Sequence, residues 1–410
     1  MVGVSHNTVM TKATLNLPRS PQGLINTPAA LAEVCDHLGA AKVFGFDTEF
    51  IGESSYRPVL CLVQVATDER VELIDPMALE DLGPFWDLLA DPAVEKICHA
   101  GDQDLAIAWQ LGRKTPQNVF DCQTGAGFAG IKYPEAYSRL VEIVAGIKLE
   151  KGDTYSAWGR RPLSDSQFTY AVDDVLYLPE IHRFLQGRLE SLGHTAWLRE
   201  ACHELCVKAA TDVDPKMIFA RIKGVSRLGS RQLSVLRELT ILREQMACER
   251  DVTARGMLKD ETLLDLVVRG PETAEALLAI RSVPRDKAVR YGDQIIGAIK
   301  RGKALPPDQW PCLTPPLTTE ARRLADIMYP ASQLICLGQS VSPGVVTNKE
   351  QIEGLARLVS QGEDLSGHAL MSGWTRECLG APLLEFVRGK TDVTLHVTPE
   401  RMHAKFESRG

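Results

Sequence analysis

No apolar run in the 410-residue chain approaches the roughly 18 residues needed to span a bilayer, which excludes an ordinary transmembrane helix. Regular cysteine spacing is also missing. Ten scattered cysteines exclude a secreted disulfide scaffold and favour reduced thiols in a cytoplasmic setting. The closest pair, Cys202 and Cys206 in "CHELC", has the spacing of half a zinc site, but no second Cys or His pair follows nearby. Two core thiols on one helix face are the simpler reading. The N-terminus "MVGVSHNTVMTKATLNLPRS" lacks the apolar core of a secretory signal. It has no acidic residue and contains Lys12 and Arg19, so a transit-peptide reading stays open beside the preferred one, a short flexible arm over residues 1–22. A basic excess is absent too: the formal net charge is −7.

That sum conceals an uneven distribution. From Lys216 to Ala304 there are 18 Lys and Arg against 11 Asp and Glu, a local +7, so the remainder carries −14. One basic segment inside an acidic chain is compatible with nucleic-acid contact. With 44% hydrophobic and 24% charged residues the chain is otherwise an ordinary globular one, long enough for about two to four domains.

Short apolar runs alternate with helical periods from Leu24 to Leu192. "KVFGFDTEF", "VLCLVQVAT", "RVELIDP", "VEKICHA" and a shorter "NVFDC" are candidate strands. The first three are separated only by short turns and predict an antiparallel meander within a mixed sheet flanked by helices. Beyond Leu192 strand signals nearly vanish. "SRQLSVLRELTILREQMACERD" places Leu233, Leu236, Leu239 and Leu242 on a helical stripe. "ALPPDQWPCLTPPL" marks a linker, and a second helical block follows. The blocks close alike, "IIGAIKRGK" against "LLEFVRGK", as two divergent copies of one module. The second copy, Thr314 to Thr398, holds 7 basic and 9 acidic residues. It therefore departs from an equivalent nucleic-acid grip and is expected to pack on the first domain or to shape a ring.

"FDTEF" puts Asp47 and Glu49 two apart at the end of an apolar strand, hence on one face and close enough to repel. A bound divalent metal is the economical reason for such a pair. "HAGDQDL" places Asp102 and Asp104 at the start of a later helix, where the N-cap role is preferred for Asp102. In "FTYAVDDVLYL", Tyr170 and Asp174 are four apart on one helix face.

Taken in order, Asp-x-Glu, a helix-opening Asp and Tyr-x-x-x-Asp resemble the DEDDy branch of the DEDD 3′–5′ exonucleases. "LCLVQVAT", "HAGDQDL", "WGRRPLSDSQFTYAVDDVLYL" and the helical blocks are similar to the bacterial ribonuclease D family, in which such blocks are HRDC domains. The resemblance spans about Leu24 to Lys390. It implies an α/β ribonuclease-H-like mixed-sheet domain over residues 23–205, HRDC-like all-α domains over 210–305 and 314–400, and a linker over 306–313. It also implies two-metal-ion (Mg²⁺ or Mn²⁺) hydrolysis that trims 3′ ends of structured RNA, tRNA precursors first among them, to nucleoside 5′-monophosphates.

Asp47, Glu49, Asp104 and Asp174 are then the metal ligands, and Tyr170 orients the attacking water. Its phenol, with an ordinary pKa near 10, is a poor base at neutral pH. Phe50, Gln64, His99 and Arg161 are candidate substrate contacts, each with a structural alternative: core aromatic, sheet-edge hydrogen bond, buried strand end, and carboxylate partner. Asp121 and Asp173 are expected to be structural or to support the ligands. The rivals to this reading are a DNA 3′–5′ exonuclease and a non-catalytic RNA-binding scaffold. A monomer that makes no use of a membrane is expected.

Overall fold

A computed structural model describes residues 17–52, 55–149, 157–212, 214–313, 315–397 and 402–408. They form two compact units. One comprises the described residues within Met1–Glu49, Leu60–Ala210 and Leu317–Gly410, and the other those within Phe50–Val59 and Thr211–Pro316.

The first unit is built on a six-stranded sheet: β1 (Leu24–Ile25), β2 (Val43–Ile51), β3 (Val59–Ala66), β4 (Val71–Ile74), β5 (Glu95–Cys98) and β6 (Val119–Asp121), in the order β1-β4-β3-β2-β5-β6. β3 is buried at every position after Val59, as suits a run apolar at all but Gln64 in the middle of a sheet. It runs antiparallel to β4, whereas β5 is parallel to both β2 and β6 and β1 is parallel to β4, so the sheet is mixed. The two-residue β1 is too short to leave a period in the sequence. The expected arm over 1–22 lies mostly outside the described residues, but its end is tied down: the Arg19 N–H donates to the Glu69 carbonyl at 2.9 Å and the Val71 N–H to the Arg19 carbonyl at 2.8 Å.

Helices α1 (Pro28–Ala41), α2 (Gly83–Ala90), α3 (Asp102–Gly112), α4 (Cys122–Phe128), α5 (Tyr137–Ala145), α6 (Asp165–Leu176), α7 (Leu178–Leu192) and α8 (Thr195–Ala209) surround the sheet. Local chemistry sets their ends. Thr27 caps α1 ahead of Pro28, and Lys42 closes it in the left-handed region. Ser164 opens α6 with a capping box: its Oγ accepts from the Gln167 N–H at 3.2 Å, and Gln167 Oε1 accepts from the Ser164 N–H at 2.9 Å. That box starts the helix bearing Tyr170 and Asp174. Gly45 lets β2 pass under α7, since a Cβ there would stand 2.8 Å from Leu178 Cβ.

The second helical block belongs to this same unit. It contains α15 (Thr319–Gly338), α16 (Pro343–Val346), α17 (Lys349–Gln361), α18 (Gly373–Thr375) and α19 (Ala381–Val387), numbered after α9–α14 of the other unit. Of the two expectations for this block, the structure shows packing on the α/β domain. The Trp374 ring meets Phe128 edge-on at 5.0 Å, and its Nε1–H donates to Glu204 at 3.3 Å. Trp197 Nε1–H reaches Glu377 at 3.1 Å, and the Ser342 N–H donates to the Gly127 carbonyl at 2.8 Å. One expectation is corrected here: strands do recur late in the chain, as the antiparallel pair β7 (Thr391–Val397) and β8 (Met402–Ser408). Alternation of Val393, Leu395 and Val397 was the overlooked signal.

In the second unit, α9 (Pro215–Ile218), α10 (Ser230–Arg250), α11 (Ala254–Met257), α12 (Asp260–Arg269), α13 (Ala274–Leu278) and α14 (Arg285–Ala304) enclose a core that includes the stripe Leu233, Leu236, Leu239 and Leu242. α14 packs so closely on α10 that a Cβ on Gly302 would lie 2.5 Å from Val235 Cα. The expected linker over 306–313 includes a 3₁₀ turn at Pro307–Gln309, and Trp310 Nε1–H donates to the Leu305 carbonyl at 2.8 Å.

Candidate active site

β2 and α6 deliver the acidic cluster. Ligand oxygens of Asp47, Glu49 and Asp174 all lie within 4.8 Å of one another. Asp104, in the first turn of α3, is 8% exposed and accepts a short hydrogen bond from the Thr48 hydroxyl. The spacing of Asp102 and Asp104 gave no hint of that clamp. Asp102 is not the N-cap expected of it: Gly101 holds that position, and Asp102 pairs with Lys208 at 3.0 Å.

The electrostatics of the cluster are those of crowded like charges. Burial raises the Asp47 carboxyl well above its ordinary range, and the charges of Asp104, Asp174 and Glu49 add to the effect. Burial, then Asp174 and Asp104, push Glu49 up to about 8. Asp174 is pushed up to about 7 by burial and by Asp173, against a hydrogen bond from Tyr170 that favours its ionised form. Asp104 is raised by burial, with the Thr48 bond opposing. The Tyr170 phenol lies above its ordinary value through burial and the charges of Asp174, Glu49 and Asp47, so it keeps its proton and donates a hydrogen bond to Asp174. Trp158, 3% exposed, sits 6.1 Å from the Tyr170 ring.

This donor set suits a hard divalent cation: all oxygen, convergent, and destabilised by its own charge when no cation is present. By contrast, the Cys202 and Cys206 thiols are buried and raised, Cys206 to about 11, as core thiols are.

The candidate substrate contacts are placed differently. All five N–H donors of Arg161 are engaged by protein. Two go to the Asp75 carboxylate at 2.8 and 2.7 Å, and the others to the carbonyls of Cys61, Trp158 and Arg160. Of its two readings the structure shows the carboxylate partner, and a free phosphate clamp is corrected. Gln64 has 0% exposure on the interior strand β3, so its sheet-edge alternative is corrected as well; neither amide atom has a partner among the described residues. His99 is half-buried against Tyr137, ring to ring at 5.6 Å, and burial lowers its pKa. Phe50 follows Glu49 in β2 and is half-buried.

Of two supporting residues, Asp121 is expected from sequence to be structural or to support the ligands, and Tyr137 appears only in three dimensions. Asp121 accepts from the Gly101 N–H at 3.0 Å and the Thr124 N–H at 2.7 Å, which ties the turn before Asp104 to the start of α4. The Tyr137 hydroxyl donates to the Asp173 carbonyl at 2.9 Å and accepts from the Tyr177 N–H at 3.3 Å. It is thus inserted where an i→i+4 bond would join α6 to α7, and it fixes the last turn that carries Asp174.

Residues 23–190 match the 3′-5′ exonuclease family and residues 232–299 the HRDC domain. The chain is 31% identical over 370 residues to "Ribonuclease D" of Nitrobacter hamburgensis, covering 90% of this chain and 95% of that one. It is 33% identical over 361 residues to "Ribonuclease D" of Pseudomonas paraeruginosa, covering 88% and 96%. Among solved structures, Escherichia coli RNase D, described as an exoribonuclease involved in structured RNA processing, superposes with a TM-score of 0.80 at 26% identity, covering 89% of this chain and 98% of that chain.

Proposed function

Because the chain belongs to the ribonuclease D family, we propose that its acidic cluster trims the 3′ ends of structured RNA, with tRNA precursors as the leading substrates. The protein is a 3′–5′ exoribonuclease that uses divalent metal. In our reading Asp47, Glu49 and Asp174 would hold one cation, and Asp47 and Asp104 would serve a second. Divalent cations supply Lewis acidity and charge neutralisation at the scissile phosphate. Tyr170, tethered to Asp174, aims a water at that phosphorus; the 3′ oxygen of the preceding nucleotide leaves, and a nucleoside 5′-monophosphate is released. Thr48 holds Asp104 in place, while Tyr137 holds the turn below Asp174. Ten free thiols support a cytoplasmic setting, and no described helix is long and apolar enough to cross a membrane.

The convergence of the three carboxylates within 4.8 Å carries this reading, since a binding scaffold has no use for that repulsion. The test is a 3′-labelled tRNA precursor incubated with Mg²⁺ or Mn²⁺, alongside a DNA strand of matched sequence. Release of nucleoside 5′-monophosphates from the RNA, lost on the order of 10²–10³-fold in Asp174→Asn, is expected. Undiminished release by the folded variant would refute the assignment.

A further inference from the structure

The +7 of the second unit is not spread over it. From Lys216 to Arg237 there are six Lys and Arg and no Asp or Glu, whereas Glu238 to Ala304 holds 12 basic and 11 acidic residues. Five of the seven excess charges, Lys216 to Arg231, therefore precede the HRDC match, which begins at residue 232. Within those helices many cations are neutralised locally. Arg243 pairs with Asp260, Arg301 with Glu238 and Lys303 with Glu272.

The early segment is arranged otherwise. Phe219, Ile222 and Val225, at 4%, 3% and 9% exposure, are sunk into the core of the unit at every third position. Two 3₁₀ turns, Phe219–Arg221 and Val225–Arg227, are joined through Gly224 at φ 96°. Arg221 and Lys223 lie between these anchors and Lys216, Arg227 and Arg231 flank them; all five are exposed, with no side-chain ion pair or hydrogen bond among the described residues. Cations on an anchored backbone, with no acidic residue between them, lose little order on meeting a polyanion. Exposed cations of this kind suit phosphates, whose contacts carry no base sequence.

We infer that this strip, residues 216–231, is the phosphate-binding grip for RNA, and that the HRDC helices behind it are its scaffold rather than the contact surface. The inference rests on the exoribonuclease reading, which supplies RNA as the polyanion.

The test compares full-length proteins binding a labelled tRNA-sized RNA in EDTA across a salt series. One variant carries Arg221→Gln, Lys223→Gln, Arg227→Gln and Arg231→Gln. A comparator loses the same charge from exposed positions further on, through Arg269→Gln, Arg281→Gln, Arg285→Gln and Arg290→Gln. Each neutralised phosphate contributes about 0.7–0.9 to the log–log salt slope, so the strip variant should lose about 3 from its slope. Its affinity near 0.1 M salt should fall on the order of 100-fold, while the comparator's slope changes by less than about 1. The charge-keeping set Arg221→Lys, Arg227→Lys and Arg231→Lys should retain the slope, which separates lost charge from lost fold. Equal slope losses in strip variant and comparator, or none in the strip variant, would overturn the inference. Wild-type hydrolysis of the same RNA with Mg²⁺ is scored separately: its absence would sink the exoribonuclease reading, whereas intact hydrolysis with equal slopes would sink only the strip.

Discussion

Removing a carboxylate from the active site should make the metal-free protein more stable. Glu49 sits at about 8 when folded, against an ordinary 4.5, because of burial and then the charges of Asp174 and Asp104. A carboxyl raised in this way binds a proton more tightly folded than unfolded, so stability is highest at low pH and falls as pH rises from 4.5 through about 8. A tenfold difference in proton affinity is worth about 1.4 kcal/mol, so the penalty is about 4 kcal/mol at pH 8 and about 1.4 at pH 5.5. Glu49 is half-buried and shares its protonation with its neighbours, so about half of the roughly 3 kcal/mol between those two values is a fair expectation. At about 2–4 °C per kcal/mol, Glu49→Gln in EDTA should melt some 3–6 °C above wild type at pH 8 and close to it at pH 5.5. Added Mg²⁺ should raise the wild-type midpoint at pH 8 but barely move the variant, since a ligand stabilises only the state that binds it. Thermal melts followed by circular dichroism, at both pH values with and without Mg²⁺, give the comparison. A variant melting at or below wild type at pH 8 in EDTA would show that the cluster is not under mutual repulsion, and the electrostatic case for a cation would fail.

Tyr170→Phe should lower kcat on the order of 10²-fold while KM changes less than about threefold, measured by steady-state nucleotide release; equal turnover would remove the hydroxyl from catalysis. Tyr137→Phe leaves the Asp173 carbonyl and the Tyr177 N–H facing each other without their bridge. A cost of about 1–3 kcal/mol is expected, along with weaker Mn²⁺ binding by calorimetry, as α6 and α7 close into a continuous helix and shift Asp174. Trp374→Ala should destabilise the α/β unit by about 3–5 kcal/mol in chemical denaturation without altering the salt slope of RNA binding.

The sheet and the cluster were legible because each leaves a period. β3 is an apolar run interrupted only by Gln64, Asp47 and Glu49 are two apart on a strand, and Tyr170 and Asp174 are four apart on a helix. Residues whose partners lie far along the chain were not legible. Thr48 reaches Asp104 across 56 positions and Arg161 reaches Asp75 across 86, and local spacing carries no trace of either. The same holds for Trp374, whose apolar surface reads as the core of its own helical block until Phe128 is seen beside it. The basic excess was visible as a sum over the module. Its concentration in residues 216–231 became meaningful once Phe219, Ile222 and Val225 proved to be anchors.

The chain leaves the α/β unit at Ala210 and returns to it at Leu317, with a whole second unit in between. Glu204 must therefore wait 170 positions for Trp374. At about 5–20 residues per second, a nascent chain spends roughly 10–40 seconds with Phe128 uncovered after the last strand of the six-stranded sheet and every proposed ligand have been made. Late in that interval, once Ala304 has been made, the intervening unit can fold by itself, since its helical core draws only on residues by then synthesised. The nuclease half thus matures last although it is encoded first. A ribosome stalled within the intervening unit holds a chain with a complete set of acidic residues on an unfinished domain, a natural substrate for chaperones during synthesis.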